Sequence, residues 1–222
     1  MKPLIIAIDG PSGAGKGTIA RAVAKRLGYR HVDTGAMYRA LAWNALRHAI
    51  DLSDEAAVSA LAQRSDFDVS DGRVEVDGHD VATAIRTPEM DIAASLVARQ
   101  PRVREALIAR QRALGAQGGV VMEGRDIGTV VFPGADVKIF LDASPEERAR
   151  RRATDPAHTS GKGAAAIPEV ATALAERDRL DSTRAASPLT VADDAVVIDT
   201  TRLSIGEAVD RVMEVIKGIV DC

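Results

Sequence analysis

The chain has 222 residues, 46% of them apolar and 27% charged, which supplies a buried core and excludes wholesale disorder. With 29 basic and 32 acidic side chains the net charge is −3, so no global positive field favours a nucleic-acid polymer, and any anion must be held by local arginines. The single cysteine, Cys222, allows no intrachain disulfide and fits a reducing, cytoplasmic setting.

The apolar run at residues 4–8 is cut off by Asp9, too short for a signal-peptide core or a membrane span, and reads as a buried strand. Similar runs at 120–122, 137–141 and 195–198, with a fifth at 29–32, each end near an acidic residue and alternate with helical segments. That alternation predicts an α/β fold with a parallel five-stranded sheet flanked by helices. Ser144, Pro145 and Glu147 read as N-cap, first helical residue and capping-box partner, and Ser204 with Glu207 repeats the box. In the last helix Ile205, Ala208, Val209, Val212 and Ile216 form a stripe expected to pack into the core. Two stretches break the alternation. Residues 66–86, with Asp71-Gly72 and Asp77-Gly78, predict a small inserted hairpin, and residues 155–168 are small, polar and glycine-bearing, as in a mobile loop.

Directly after the first strand stands GPSGAGKGT: Gly10, Pro11, Ser12, Gly13, Ala14, Gly15, Lys16, Gly17 and Thr18. A glycine-rich turn opening into a helix aims backbone N–H groups at phosphate, and Lys16 is placed to reach the β- and γ-phosphates of ATP. A GTPase-type switch shares this cradle but carries DxxG and NKxD segments; here no DxxG occurs, and Asn44, the one asparagine, is followed by alanine. Arginines gather at the ends of the predicted strands, in DTGAMYR (33–39) and EGRDIGTVV (123–131), and later in ERARRR (147–152) and ERDRLDSTR (176–184). Ligands of open α/β sheets lie beyond the carboxyl ends of the strands, so Thr34, Arg39, Arg125 and Asp126 should converge with the phosphate loop. Asp33 could order magnesium-bound water or cap the helix that follows it. The four histidines share no metal-site spacing.

GPSGAGKGT, DTGAMYRALA, IRTPEM, PRVREALIARQR, EGRDIGTVVFPGADVKIFLDASPEERARRR and RDRLDSTRAASPL together resemble, in order, the motifs of the bacterial cytidylate (CMP/dCMP) kinases, P-loop nucleoside monophosphate kinases, over residues 5 to about 210. The resemblance implies a P-loop core (1–62, 87–150 and 185–222), an acceptor-binding insert (63–86) and a lid (151–184). It also implies transfer of the γ-phosphoryl group of Mg2+·ATP to CMP or dCMP by a monomer with no membrane or polymer partner. Base recognition would fall to Thr34, Arg104 and Asp126, the acceptor phosphate to Arg39 and Arg125, and the ribose to Asp181 and Arg184. From helical spacing, Arg148, Arg151 and Arg152 at i, i+3 and i+4 and Arg177, Asp181 and Arg184 at i, i+4 and i+7 each face one way, so with a loop between the two sets Arg148, Arg152 and Arg177 are expected to close over the transferring phosphate beside Lys16. The rivals are a P-loop kinase for UMP, AMP or a metabolite such as shikimate, and a non-enzymatic switch. Thr34 stands where many relatives have serine, and Leu180, Ser182 and the alanine-rich stretch AAAIPEVATALA depart from the usual lid.

Overall fold

The computed structural model describes residues 3–155 and 166–220. Most of the loop expected at 155–168 therefore lies outside the described residues, as does Cys222. Five parallel strands form the central sheet: β1 (Ile5–Asp9), β2 (Arg30–Asp33), β6 (Val120–Gly124), β7 (Val137–Asp142) and β8 (Val196–Asp199), in the order β2-β6-β1-β7-β8. Each of the five expected runs is one of these strands.

Side chains alternate across the sheet as a two-residue period requires. Val120, Met122 and Ala7 point to one face, into a core shared with α2 (Thr34–Arg47), α3 (Glu55–Arg64), α4 (Pro88–Val97) and α5 (Pro101–Gly115). Ile6, Ile8, Val121 and Ile139 point to the other, against α1 (Lys16–Leu27) and α8 (Ile205–Val220). A third small cluster, Ala149, Ala153, Val170 and Leu174, joins α6 (Pro145–Ala153) to α7 (Ile167–Thr183). No described helix is long and apolar enough to cross a membrane.

Two sequence expectations change. The inserted hairpin is a three-stranded antiparallel sheet of β3 (Phe67–Asp68), β4 (Glu75–Val76) and β5 (His79–Asp80). Asp77 and Gly78 both take positive φ, 49° and 76°, the backbone of a two-residue hairpin turn. Asp71-Gly72 repeats this geometry, and the Asp71 turn latches onto β2 through its amide, which donates to the His31 carbonyl at 3.0 Å, and its carboxylate, which accepts from the His31 N–H at 3.0 Å. In α8, Ala208, Val209, Val212 and Ile216 are buried as expected, but Ile205 is 60% exposed. The stripe extends one turn past the sheet that covers it, and Ile205 faces the cleft described next.

Candidate active site

The carboxyl ends of β1, β2 and β6 lie side by side, Asp9 opposite Gly124 and Asp33 opposite Glu123. The loop 10–15 leaves β1 here. A Cβ on Gly10 would sit 2.0 Å from the Leu141 carbonyl oxygen and φ is 147°, so the turn out of the strand requires glycine. The loop then delivers Lys16 as the first residue of α1. Lys16 is buried, and its ammonium donates to the Pro11 carbonyl at 2.7 Å. Burial, together with Arg125 and Arg177, holds its pKa well below the ordinary lysine value, against the pull of Glu123 and Asp9. A cleft of about 690 Å³ opens over this loop, lined by Ser12, Gly13, Lys16 and Thr18 on one side and by Asp33, Arg39, Glu123, Arg125, Arg152 and Arg177 on the other.

The arginines around it are held in place by carboxylates and by the loop itself. Arg152 donates to the Ser12 hydroxyl at 2.9 Å. Arg177 donates to Asp91 at 3.1 Å, and Arg39 to Asp33 at 3.2 Å; Arg39 and Arg152 each lie 3.9 Å from Asp91. Burial lowers the Arg152 pKa, whereas at Arg177 the same burial is outweighed by Asp91 and Asp181, which raise it. Asp33 both caps α2, accepting the Ala36 N–H at 2.9 Å, and pairs with Arg39. Burial acts to raise its carboxyl, yet Arg39 and that N–H hold it below the usual carboxylate range.

Arg148 differs from the other cations. Its buried guanidinium does not line the cleft. It donates to the Ala143 carbonyl at 3.1 Å, to the Ser12 carbonyl at 3.2 Å and to Asp178, tying α6 to the phosphate loop and to α7.

Behind Arg125 lies a second, deeper group. Arg125 donates to Asp181 at 3.0 Å, and Asp181 stands 3.8 Å from Arg184. Arg184 lies 3.5 Å from Asp126, which also accepts from Arg104. Arg104, Asp126, Asp181 and Arg184 are all buried, so unpaired charges here would be costly and each finds an opposite partner. At Asp181, burial pushes the carboxyl up, but Arg125, Arg177 and Arg184 outweigh it and hold the group ionised. The Arg104 guanidinium packs 5.5 Å from the centre of the Tyr38 ring. Thr34, also buried, donates to the Glu123 carbonyl at 2.7 Å. The nine residues 10–18, Asp33 and the seven acceptor-side residues expected from the sequence thus gather at one end of the sheet, in two connected groups.

Three further residues were not singled out in the sequence. Asp91 links Arg39, Arg152 and Arg177, although in TPEMD it reads as an ordinary first-turn acid of α4. Glu123 lines the cleft near Lys16 and is held by His31 Nε2 at 3.1 Å. Tyr38 underlies Arg104. Only for Glu123 was there a signal, its place at the carboxyl end of a central strand.

The family model for Cytidylate kinase matches residues 6–218. Among similar proteins, the Cytidylate kinase of Solibacter usitatus (strain Ellin6076) is 48% identical over 217 residues, 98% of this chain and 94% of that protein. That of Geobacillus sp. (strain WCH70) is 50% identical over 95% of both chains, and that of Desulfitobacterium hafniense (strain Y51) is 49% identical over 99% of this chain and 95% of its own. With the phosphate loop and the buried arginine–carboxylate group both in place at the sheet's carboxyl end, a match of this extent shows that the chain belongs to the cytidylate kinase family.

Proposed function

We propose that the protein transfers the γ-phosphoryl group of ATP to CMP or dCMP, giving ADP and the pyrimidine diphosphate. The observation that carries this reading is one unbroken series of contacts, from the Lys16-lined cleft through Arg125 and Asp181 to Arg184, Asp126 and Arg104. It joins a phosphate cradle to a buried group with both an anionic acceptor and cationic donors. The Nε atoms of Arg39, Arg104 and Arg177 are buried with no hydrogen-bond partner among the described residues, so the donor capacity of these guanidiniums is not spent within the described protein.

In this reading the loop amides and Lys16 hold the ATP phosphates, and Arg39 and Arg125 grip the acceptor phosphate through planar forks that match its oxygens. Asp181 and Arg184 bind the ribose. An oxygen of the acceptor phosphate attacks the γ-phosphorus as the bond to the bridging oxygen of ADP breaks. No general base is needed, because that phosphate is already ionised near neutral pH. Lys16, Arg152 and Arg177 balance the charge that shifts to the leaving oxygen. Arg148 supports the loop and α7 from behind.

Magnesium fits the donor set: the Thr18 hydroxyl and the Asp33 and Glu123 carboxylates are hard oxygen groups on the cleft wall. Among the described residues no cluster of three or more His, Cys, Asp or Glu could hold an ion, so it would be shared with substrate phosphates and water, where it supplies charge neutralisation. The three-stranded insert would serve the acceptor side and the segment 151–184 the lid. A monomer suffices, since one chain supplies every group named, and the cytoplasm is the setting that fits its substrates.

Cytosine offers an exocyclic amine where uracil has a carbonyl, and a buried carboxylate such as Asp126 complements only the amine. Asp126→Ala is therefore expected to lower kcat/KM for CMP far more than for UMP, reducing the ratio between them by roughly ten- to a hundredfold. An equal loss on both nucleotides would mean that Asp126 only positions the arginines, and would overturn its assignment as the base reader.

A further inference from the structure

Asp9 is the last residue of β1, immediately before the phosphate loop, and it is buried. Its side chain bonds to the segment that follows β6. Oδ1 accepts the Ile127 N–H at 2.9 Å and Oδ2 the Gly128 N–H at 2.7 Å. These amides open a single π-helical turn, Ile127–Val131, and the residue just before it is Asp126. Within the turn the hydrogen bonds run from later amides back to earlier carbonyls, Val131 N–H to Asp126 at 3.1 Å and Phe132 N–H to Ile127 at 2.7 Å. The leading amides therefore need an acceptor from elsewhere, which Asp9 provides.

The approach is built on both sides. A Cβ on Gly128 would stand 3.2 Å from Lys138 Cδ and 3.4 Å from Asp9 Oδ2, so the turn packs closely against both side chains. On the other side, Gly10 presses against the Leu141 backbone and fixes the end of β1. Burial pushes the Asp9 carboxyl up to about 6, against the Gly128 and Ile127 N–H bonds that lower it, with Asp126 adding to the rise and Lys16 opposing it. At neutral pH it is still ionised and accepts both amides.

We infer that Asp9 is a positioning residue for acceptor-base recognition, holding the turn that presents Asp126 at a fixed distance from the phosphate loop. A carboxylate accepting two successive N–H groups fixes both the placement and the rotation of the turn, which a single acceptor does not. The inference rests on the reading of Asp126 as the base-recognising group.

The test uses Asp9→Asn, which keeps the size and one acceptor but sets an NH2 against the second amide. CMP and UMP kinetics are measured for this variant, for Asp126→Ala and for the double variant, together with KM for ATP. Asp9→Asn is expected to lower kcat/KM for CMP by roughly tenfold and to shrink the CMP-to-UMP ratio several-fold, with KM for ATP changed less than about twofold. In the Asp126→Ala background it should leave the ratio where it is. A stabilising role alone would lower the melting temperature and leave the ratio untouched, and that outcome, with Asp126→Ala still reducing the ratio, overturns the inference. If Asp126→Ala itself leaves the ratio unchanged, the base-reading assignment fails and this inference with it. Should Asp9→Asn fold poorly, Asp9→Glu, which keeps the carboxylate but displaces it by one methylene from the two amides, carries the same comparison.

Discussion

Replacing Lys16 by alanine removes a cation without removing a support. Its ammonium makes one hydrogen bond, to Pro11 within its own loop, while the loop is anchored separately by Arg148 and Arg152 at Ser12. Lys16→Ala is therefore expected to lower kcat by roughly 10²–10³-fold, the cost of a lost electrostatic partner, with the melting temperature within about 3 °C of wild type. Near-normal turnover in a folded variant would contradict the placement of the donor phosphates. At this scale the sequence was legible where residue type and position coincide with a single chemistry. Lys16 after a glycine-rich turn is such a case. Asp91 was not legible, because an acid in the first turn of a helix is ordinary on helix-dipole grounds, and its three arginines come from α2, α6 and α7, distant in the chain. Ile205 was misplaced because periodicity reports a face of a helix and not how far the neighbouring sheet extends.

Between α6 and α7 the arginines divide into two classes, a division that spacing alone could not show. In ERARRR the residues 148, 151 and 152 share a helical face, yet Arg148 turns inward to Asp178 and two carbonyls while Arg152 turns to the cleft. Arg148→Ala leaves the half-buried Asp178 carboxylate and two carbonyls without their donor and should cost about 1–3 kcal/mol, seen as a fall of roughly 2–8 °C in melting temperature. Arg152→Ala gives up one hydrogen bond, to the Ser12 hydroxyl, and should lower the melting temperature by less than half as much as Arg148→Ala while lowering kcat by about 10²-fold. Thermal melts and steady-state rates on the two variants check the contrast, and the reverse pattern would exchange their roles. The helix starts show the same limit on local reading. The Ser204–Glu207 box closes in both directions, the Glu207 carboxylate accepting the Ser204 N–H at 2.8 Å and the Ser204 hydroxyl the Glu207 N–H at 3.3 Å. At Ser144 only half forms: its hydroxyl accepts the Glu147 N–H at 3.3 Å, but the Glu147 carboxylate is drawn to Arg150 and Arg151 at 2.7 and 2.8 Å. Arginines three and four residues on hold the Glu147 carboxylate and the Thr201 hydroxyl takes the Ser144 N–H at 2.9 Å, whereas in α8 the residue four beyond Glu207 is Arg211, which pairs with Glu214 at 3.0 Å.

Across the whole molecule, strand positions could be read from short apolar runs and their acidic ends, and convergence of the site followed from the rule that ligands lie beyond the carboxyl ends of such strands. Strand order could not, because β2-β6-β1-β7-β8 depends on which crossover packs over which face, and apolar runs buried on both faces look alike. Nor could the pairing of Asp126 with both Arg104 and Arg184, which needs α5, β6 and the end of α7 brought together. That convergence makes acceptor identity the central claim. The most direct measurement supplies ATP labelled in the γ-phosphate with each ribose and deoxyribose nucleoside monophosphate in turn, and follows both ADP and the labelled product. Label is expected in CDP and dCDP, equal in amount to the ADP formed, at rates at least tenfold above those with UMP, AMP or GMP. Label released mainly as inorganic phosphate, or transferred faster to UMP or a purine nucleotide than to CMP, would contradict that claim.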